Sequence, residues 1–134
     1  MTYEERIKLE DQIDEKANEL KELVSQLEDQ RVDFEEDEEY VYYNDVVMET
    51  SDLRIYEGSN WNYDDELYVS SIFVEDDKLY FDANWDAYNY KGDNCGDEEM
   101  NHLEPEFIVQ RYWEESQEKA FVDTLDFFIS LLKG

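Results

Sequence analysis

The residues that could supply nucleophilic chemistry are the single cysteine, Cys95, and the single histidine, His102. A reactive thiol needs a base within hydrogen-bond reach, and it reacts as the thiolate. Three carboxylates, Asp97, Glu98 and Glu99, lie between the two in the sequence. Because neighbouring negative charges disfavour a thiolate, we do not expect Cys95 and His102 to form a catalytic pair.

Carboxylates are far more abundant, with 39 Asp and Glu residues against 11 Lys and Arg. Paired carboxylates carry out glycoside hydrolysis and metal-assisted nuclease chemistry. In a chain with 39 Asp and Glu residues, however, a pair of carboxylates does not by itself indicate a catalytic site. The sequence contains no Gly-rich phosphate loop, HExxH zinc motif or nucleophile elbow. We therefore predict that the protein is not an enzyme and uses no cofactor.

One stretch has the oxygen spacing of a calcium-binding loop. Asp82, Asn84, Asp86 and Asp93 take its first, third, fifth and twelfth positions. The sixth position is Ala87, where the sharp turn requires Gly, and the twelfth is Asp instead of Glu. We expect no metal site on these grounds and keep the four residues only as candidates for a calcium-binding alternative.

Aromatic residues alternate with acids in three stretches, 40–45, 60–65 and 85–90. Tyr and Trp are common anchors of protein interfaces, and their rings also stack on Arg side chains. Strand alternation would place about half of these rings in a core. It does not explain why so few Lys residues accompany the acids, so we interpret the pattern as a surface for a cationic partner.

The net charge is −28 over 134 residues, and residues 32–110 hold 24 acids and three bases. This charge repels phosphate, so we expect neither direct nucleic-acid binding nor an anionic membrane partner. A compact domain of this length is about 35–40 Å across, and 28 charges match about 48 Å of duplex DNA. Since self-repulsion destabilises a compact state, we infer that function selects the charge.

Apolar residues at three- and four-residue steps predict an amphipathic helix over residues 1–31. Residues 105–132 form a second helical segment, which begins at Pro105 and has Phe107 and Ile108 among its inward-facing residues. The N-terminus is charged from its fourth residue and no apolar run approaches ~18 residues, so we expect no signal peptide and no membrane span.

Between the helices, residues 32–104 form an acidic, β-rich body. Segments rich in β-branched and aromatic residues are the predicted strands: 40–49, 53–57, 67–74 and 78–82. Residues 33–39 and 84–101 are predicted loops, and 63–66 a turn. The fold class is therefore α+β, a single domain over 1–134, with a long N-terminal helix, an antiparallel sheet of about four strands and a C-terminal helix or helix pair.

The sequence resembles the acidic DNA-mimic anti-defence proteins of phages and mobile elements, of the anti-CRISPR or anti-restriction type. The resemblance lies in the charge, the size, the lack of catalytic motifs and the alternation of acidic and aromatic residues. The resemblance is to the class and carries no specific family motif. It implies an inhibitor that presents carboxylates where a nuclease expects phosphates. The implied partner is a basic nucleic-acid-binding protein, a CRISPR-Cas nuclease first and a restriction enzyme next, in the cytoplasm of an infected bacterial host.

We predict a partner-binding face made of four acidic stretches and two aromatic anchors. Its residues are Asp33, Glu35, Glu36, Asp37, Glu38, Glu39, Tyr42, Trp61, Asp64, Asp65, Glu66, Glu75, Asp76, Asp77, Asp97, Glu98 and Glu99. The alternatives are an immunity protein or antitoxin that neutralises a basic nuclease toxin, and an acidic calcium-binding protein. We also expect a homodimer that forms through Leu20, Val24 and Leu27 of the first helix.

Overall fold

A computed structural model describes residues 3–37, 39–112 and 120–134, with the side chains of 110–112 and 120 outside the description. The first helix, α1 (Tyr3–Ser25), follows the predicted apolar periodicity. Its inward stripe is buried at Ile13, Ala17, Leu20 and Val24. The α+β layout of a long N-terminal helix, antiparallel strands and a C-terminal helix is confirmed.

The larger of two sheets has five antiparallel strands. They are β1 (Arg31–Asp33), β5 (Arg54–Ser59), β6 (Tyr63–Glu75), β7 (Lys78–Asn89) and β8 (Asn94–Leu103). β7 pairs with one edge of β6 along its whole length. β1 and β5 share the other edge of β6, β1 opposite residues 71–73 and β5 opposite residues 64–68. β8 pairs with the far edge of β7 and ends the sheet.

A smaller sheet is made of three short strands, β2 (Glu35–Asp37), β3 (Tyr40–Tyr43) and β4 (Val46–Met48), and a 3-10 helix (Thr50–Leu53) follows it. The predicted loop over 33–39 is therefore wrong. Val32 and Phe34 are buried while the acids between and after them face outward. Phe34 stacks on Phe128 with ring centroids 5.6 Å apart. Two buried apolar side chains at alternate positions are enough to hold an acidic segment in extended conformation.

The helices pack on one face of the larger sheet. The side chains that point to them include Leu67 and Val69 from β6 and Phe81 and Ala83 from β7, all buried. A bulge in β6 between Val69 and Ser71 shifts the register, so Ile72 also turns inward beyond it. Without this bulge, each side chain in the second half of β6 would point to the opposite face of the sheet. The opposite face carries the polar residues of the same strands.

The predicted loop over 84–101 is also wrong, because β7 continues to Asn89 and β8 starts at Asn94. The predicted turn over 63–66 is the first part of β6. Inward small side chains alternate with outward polar ones here, as Ala83 and Ala87 show. The strand pattern persists although the residues have low β propensity, because the pairing with β6 decides the conformation.

The C-terminal segment contains α2 (Pro105–Tyr112) and α3 (Ala120–Lys133), and the residues between them lie outside the description. Leu125 and Phe128 of α3 are fully buried, as the periodicity predicts. Ile108 of α2 is buried too, whereas Phe107 is 44% exposed, which corrects its predicted inward orientation. Adjacent side chains project about 100° apart around a helix, and on α2 Ile108 faces the body while Phe107 points away from it.

The position of α1 corrects the residues predicted for a homodimer. Leu20 and Val24 are fully buried in the chain's own core, and Leu27 packs against that core. A dimer through these side chains would require α1 to leave the fold. Within the described ranges, none of the three helices combines the length and apolar character that crossing a membrane requires.

Replacing Leu20 by Ala is expected to lower the free energy of unfolding by about 2–5 kcal/mol, because it leaves a cavity where α1 meets the sheet. Denaturant unfolding followed by circular dichroism measures this change. Glu22→Ala, on the exposed side of the same helix, is the matched control and is expected to stay within about 0.5 kcal/mol of the unmodified chain. Equal effects of the two substitutions would contradict this packing.

Candidate partner-binding site

Four carboxylates line up across the sheet on the face opposite the helices. Glu57 lies directly opposite Glu66, Glu66 opposite Asp86, and Asp86 opposite Asp97. We call these four residues, one from each of β5, β6, β7 and β8, the acidic row. Neighbouring strands lie about 4.8 Å apart, so the row sets four charges along ~14 Å of backbone. One strand of duplex DNA carries a charge about every 3.4 Å of its axis, a similar density.

Like charges directly opposite each other destabilise a sheet, and the row contains three such contacts in succession. Arg54 compensates one of the two negative charges in one half of the row. Its guanidinium donates to Glu66 Oε2 through Nε and Nη2, both at 2.9 Å, and to Glu57 Oε2 through Nη1 at 3.3 Å. One guanidinium thus bridges two neighbouring carboxylates of the row.

The other half of the row has no such cation. Among the residues that the structure describes, no Lys or Arg forms an ion pair with Asp86 or Asp97. Asp86 instead accepts a hydrogen bond from the Tyr68 hydroxyl. Burial, together with the charges of Asp86 and Glu36, raises the pKa of Tyr68 well above its ordinary value. Tyr68 therefore remains a neutral donor and leaves the negative charge of Asp86 uncompensated.

An open depression of about 390 Å³ lies beside the row. Its lining includes Glu57, Ser59, Asp64, Glu66 and Tyr88. Because four of the seven lining residues are acidic, the depression favours a cationic group and disfavours an anionic one.

Asp65 stabilises the strand pair beneath the depression. Its Oδ2 accepts the Trp85 indole N–H at 2.8 Å, and its Oδ1 accepts the Tyr56 hydroxyl at 3.3 Å. Gly58 makes this arrangement possible, since a Cβ at that position would lie 2.0 Å from the Tyr56 hydroxyl oxygen. Asp65 is thus engaged on the inner side of β6, while its neighbours Asp64 and Glu66 point to the other face.

Two exposed aromatic side chains stand on the turns at one end of the sheet. Trp61 is 91% exposed in the β5–β6 turn, and Tyr90 is 87% exposed in the β7–β8 turn. In each turn an Asn side-chain oxygen accepts two backbone amides: Asn60 from residues 62 and 63, and Asn89 from residues 91 and 93. These bonds fix the turns. The turns are neighbours because Tyr63 pairs with Asn89.

The structure brings together part of the face predicted from sequence. Asp64, Glu66, Asp97 and Glu99 lie on the row's face of the sheet. Trp61 stands at the adjacent end. Glu98 lies opposite Trp85, on the other face of β8, and is exposed.

A second predicted group lies far from the row. Glu75, Asp76 and Asp77 form the β6–β7 hairpin turn, about 30 Å along β6 from Glu66. Asp77 pairs with Lys21 at 3.2 Å, and Glu75 contacts His102 Nε2 at 3.2 Å. These acids therefore do not belong to the same surface as the row.

The remaining predicted residues surround the smaller sheet. Asp33 accepts Arg31 Nε at 2.8 Å and the Ser71 hydroxyl at 2.7 Å on β1. Strand β2 contains Glu35, Glu36 and Asp37, and Tyr42 pairs with Glu35. Glu39 lies in the turn before β3, and Glu38 is outside the described residues.

Sequence reasoning missed half of the row and the tyrosines beside it. Glu57 was assigned to a strand without a role. Asp86 was a calcium candidate and belonged to the aromatic-acid stretch 85–90, but it was not included in the predicted face. Tyr68, Tyr88 and Tyr90 were also absent from the predicted face. The period-two alternation of residues 82–88 could have identified Asp86 and Tyr88 as outward-facing positions of one strand.

Three of the four calcium candidates lie on a regular strand and the fourth, Asp93, lies in the turn after it, which corrects the calcium-loop interpretation. Asp82, Asn84 and Asp86 project from β7 at two-residue intervals, without the tight turn that such a loop needs. Asp82 accepts the backbone amide of His102 at 3.0 Å. In the described part of the chain, no three His, Cys, Asp or Glu side chains converge on a common metal position.

Cys95 and His102 both belong to β8, and an extended strand separates them by about 20 Å. Cys95 is an exposed free thiol. The His102 ring instead packs edge-on against Phe73, with centroids 5.0 Å apart, and against Tyr80 at 5.4 Å. The geometry thus places the two side chains beyond hydrogen-bond reach of each other.

The comparisons with known proteins give no family for the chain. No protein-family model, curated protein or solved structure matches it. The acidic row and its surroundings are therefore the features from which a function can be inferred.

Neutralising Asp97 as Asn is expected to stabilise the fold by a few tenths to about 1 kcal/mol, because it removes the like-charge contact with Asp86. The gain is expected to shrink as salt screens the charges. Denaturant unfolding at low and high ionic strength measures both effects. Asp11→Asn, on the exposed side of α1, controls for the overall charge. A gain at Asp11 as large as that at Asp97 would show that no local repulsion exists in the row.

Proposed function

We propose that the protein inhibits a nucleic-acid-binding bacterial defence enzyme, a CRISPR-Cas nuclease first and a restriction enzyme next, by occupying its basic groove as a mimic of DNA. The observation that carries the proposal is the acidic row. Four carboxylates in register across four strands give the charge density of a nucleic-acid strand on a rigid sheet.

Repulsion within the row supports a functional origin. The sheet would be more stable with neutral or alternating residues at these positions. Folding alone does not favour three successive like-charge contacts, whereas a partner with a basic groove does. The row's negative charges then meet cations that the partner supplies, and the repulsion becomes attraction on binding.

Arg54 provides an internal model for this contact. It spans Glu57 and Glu66 with one guanidinium, which shows that neighbouring positions of the row suit the donor pattern of arginine. Asp86 and Asp97 have the same opposed arrangement without a cation from the described residues. An arginine that grips phosphate in the target enzyme would pair with these two carboxylates in the same way.

The exposed aromatic turns supply the apolar part of the interface. Trp61 and Tyr90 stand at one end of the row's face, fixed by the Asn60 and Asn89 side chains. Interfaces commonly gain most of their affinity from a few aromatic anchors, whereas charges set the association rate and the specificity. The net charge of −28 would steer the chain towards a basic groove from a distance.

The test is inhibition of DNA cleavage by a panel of purified Cas nucleases and restriction endonucleases. We expect inhibition of at least one enzyme, relief of inhibition by excess target DNA, and a steep loss of affinity with salt. Inhibition that neither DNA nor salt relieves would contradict mimicry. An immunity protein against a nuclease toxin would leave every enzyme of the panel uninhibited.

The row itself is tested by the triple substitution Glu57→Gln, Asp86→Asn and Asp97→Asn, which leaves the Arg54–Glu66 pair in place. We expect the inhibition constant to rise about tenfold or more, because three contacts to partner cations are lost. The matched control neutralises Glu75, Asp76 and Asp77 at the far end of the sheet and removes the same total charge. It is expected to change inhibition less than about threefold, and an equal loss in both variants would mean that only net charge matters.

Trp61→Ala tests the aromatic anchor. Since Trp61 is 91% exposed, the free energy of unfolding is expected to change by less than about 0.5 kcal/mol. Binding to the inhibited enzyme is expected to weaken by about 1–3 kcal/mol, measured by calorimetry. Tyr3→Ala, an exposed aromatic on α1, is the control and is expected to leave binding unchanged. Unaltered affinity of the Trp61 variant would remove this turn from the interface.

A further inference from the structure

Strand β8 leaves one edge of the larger sheet open. It pairs with β7 and, in the described ranges, with no other strand. In an antiparallel strand every second residue directs its backbone N–H and C=O away from the paired neighbour. Such an edge is a template for a further strand, and natural proteins usually block it.

Among the described residues, the charges that protect the middle of β8 from pairing with another edge are all acidic: Asp97, Glu98 and Glu99. Residues 94–103 contain no Pro, Lys or Arg. The bulges in the β7–β8 pairing fall at Phe81/Ala83 and Ala87/Tyr88, so Gly96–Met100 stays in unbroken register with Ala83–Ala87. Asp97, Glu98 and Glu99 thus form a regular stretch of this edge that no described strand pairs with.

The side chains on this edge select what can pair with it. Asp97, Glu98 and Glu99 are exposed, and the described residues provide no ion pair to any of them. A second copy of the chain would place its own carboxylates against these three, which is unfavourable. A strand rich in Lys or Arg would place opposite charges there instead.

We propose that the β8 edge binds an extended, Lys- or Arg-rich segment of the partner as an additional strand. The inference rests on the proposed function for the partner's basic character and adds the mode of contact, β-strand addition. Backbone hydrogen bonds supply affinity, and alternating side chains supply specificity. On the face of the sheet that carries the acidic row, side chains of the added strand would lie next to Asp97 and Glu99. A Lys or Arg at one of these positions would pair with the carboxylate at the end of the row.

The experiment uses the full chain and a ten-residue peptide of alternating Lys and Val as the probe. The control peptide has the same sequence and charge, but N-methyl groups on alternate residues remove the amide donors of one edge. Amide hydrogen exchange with residue resolution is the measurement. We expect alternate amides within Gly96–Glu99 to become at least tenfold more protected with the first peptide and to show no protection with the second. Equal protection by both peptides, or protection outside β8, would overturn the proposal.

A charge-reversed chain provides the second test. Asp97→Lys with Glu99→Lys, which reverses both charges on one face of β8, is expected to lose the protection by the Lys-Val peptide and to gain it with a Glu-Val peptide. Asp76→Lys with Asp77→Lys, the same charge change at the far turn, is expected to behave as the unmodified chain. Identical behaviour of the two reversed chains would overturn the assignment to β8.

The outcomes separate this inference from the proposed function. Inhibition of a nuclease that depends on the acidic row, without strand addition at β8, would overturn the inference and leave the proposed function standing. Strand addition at β8, without inhibition of any nuclease in the panel, would support the edge as a binding site and contradict the DNA-mimic function.

Discussion

The candidate binding surface depends on a sheet that holds like charges directly next to one another. Glu57, Glu66, Asp86 and Asp97 occupy successive positions across four strands, where side chains are closest. Their repulsion is offset from the opposite face, where Leu67, Phe81 and their neighbours pack against the helices. Burial of apolar surface contributes roughly 25 cal/mol per Å², so a modest core suffices to outweigh a few opposed carboxylates.

The bulge in β6 determines which residues belong to each face. Val69 and Ile72 both turn to the core although their separation is three residues, because the strand is interrupted at Ser70. If the same residues alternated regularly, without the bulge, Glu75 would face the core and Ile72 and Val74 would face outward. The position of Glu66 beside Asp86 therefore depends on a backbone irregularity as much as on residue types.

The sequence predicted the elements whose periodicity is carried by apolar residues, such as α1 and α3, and the α+β class that follows from their order. It failed where small or acidic residues form strands. Around Phe34 and along Ala83–Ala87, a few buried side chains and pairing with neighbours outweigh local propensity. The acidic character of the candidate surface was visible in the composition. The row itself was not, because it depends on the register between four strands, and Glu75–Asp77, equally acidic, lie at the other end.

The strands that carry the row, β5 to β8, follow one another in the chain and are joined by tight turns. Each carboxylate of the row thus lies opposite the next one within a β-hairpin, and no long loop separates the two strands. Loop closure between such neighbours carries a small entropic cost, and pairings of this kind form early when a chain folds. The most repulsive part of the molecule is therefore the part whose assembly is most local.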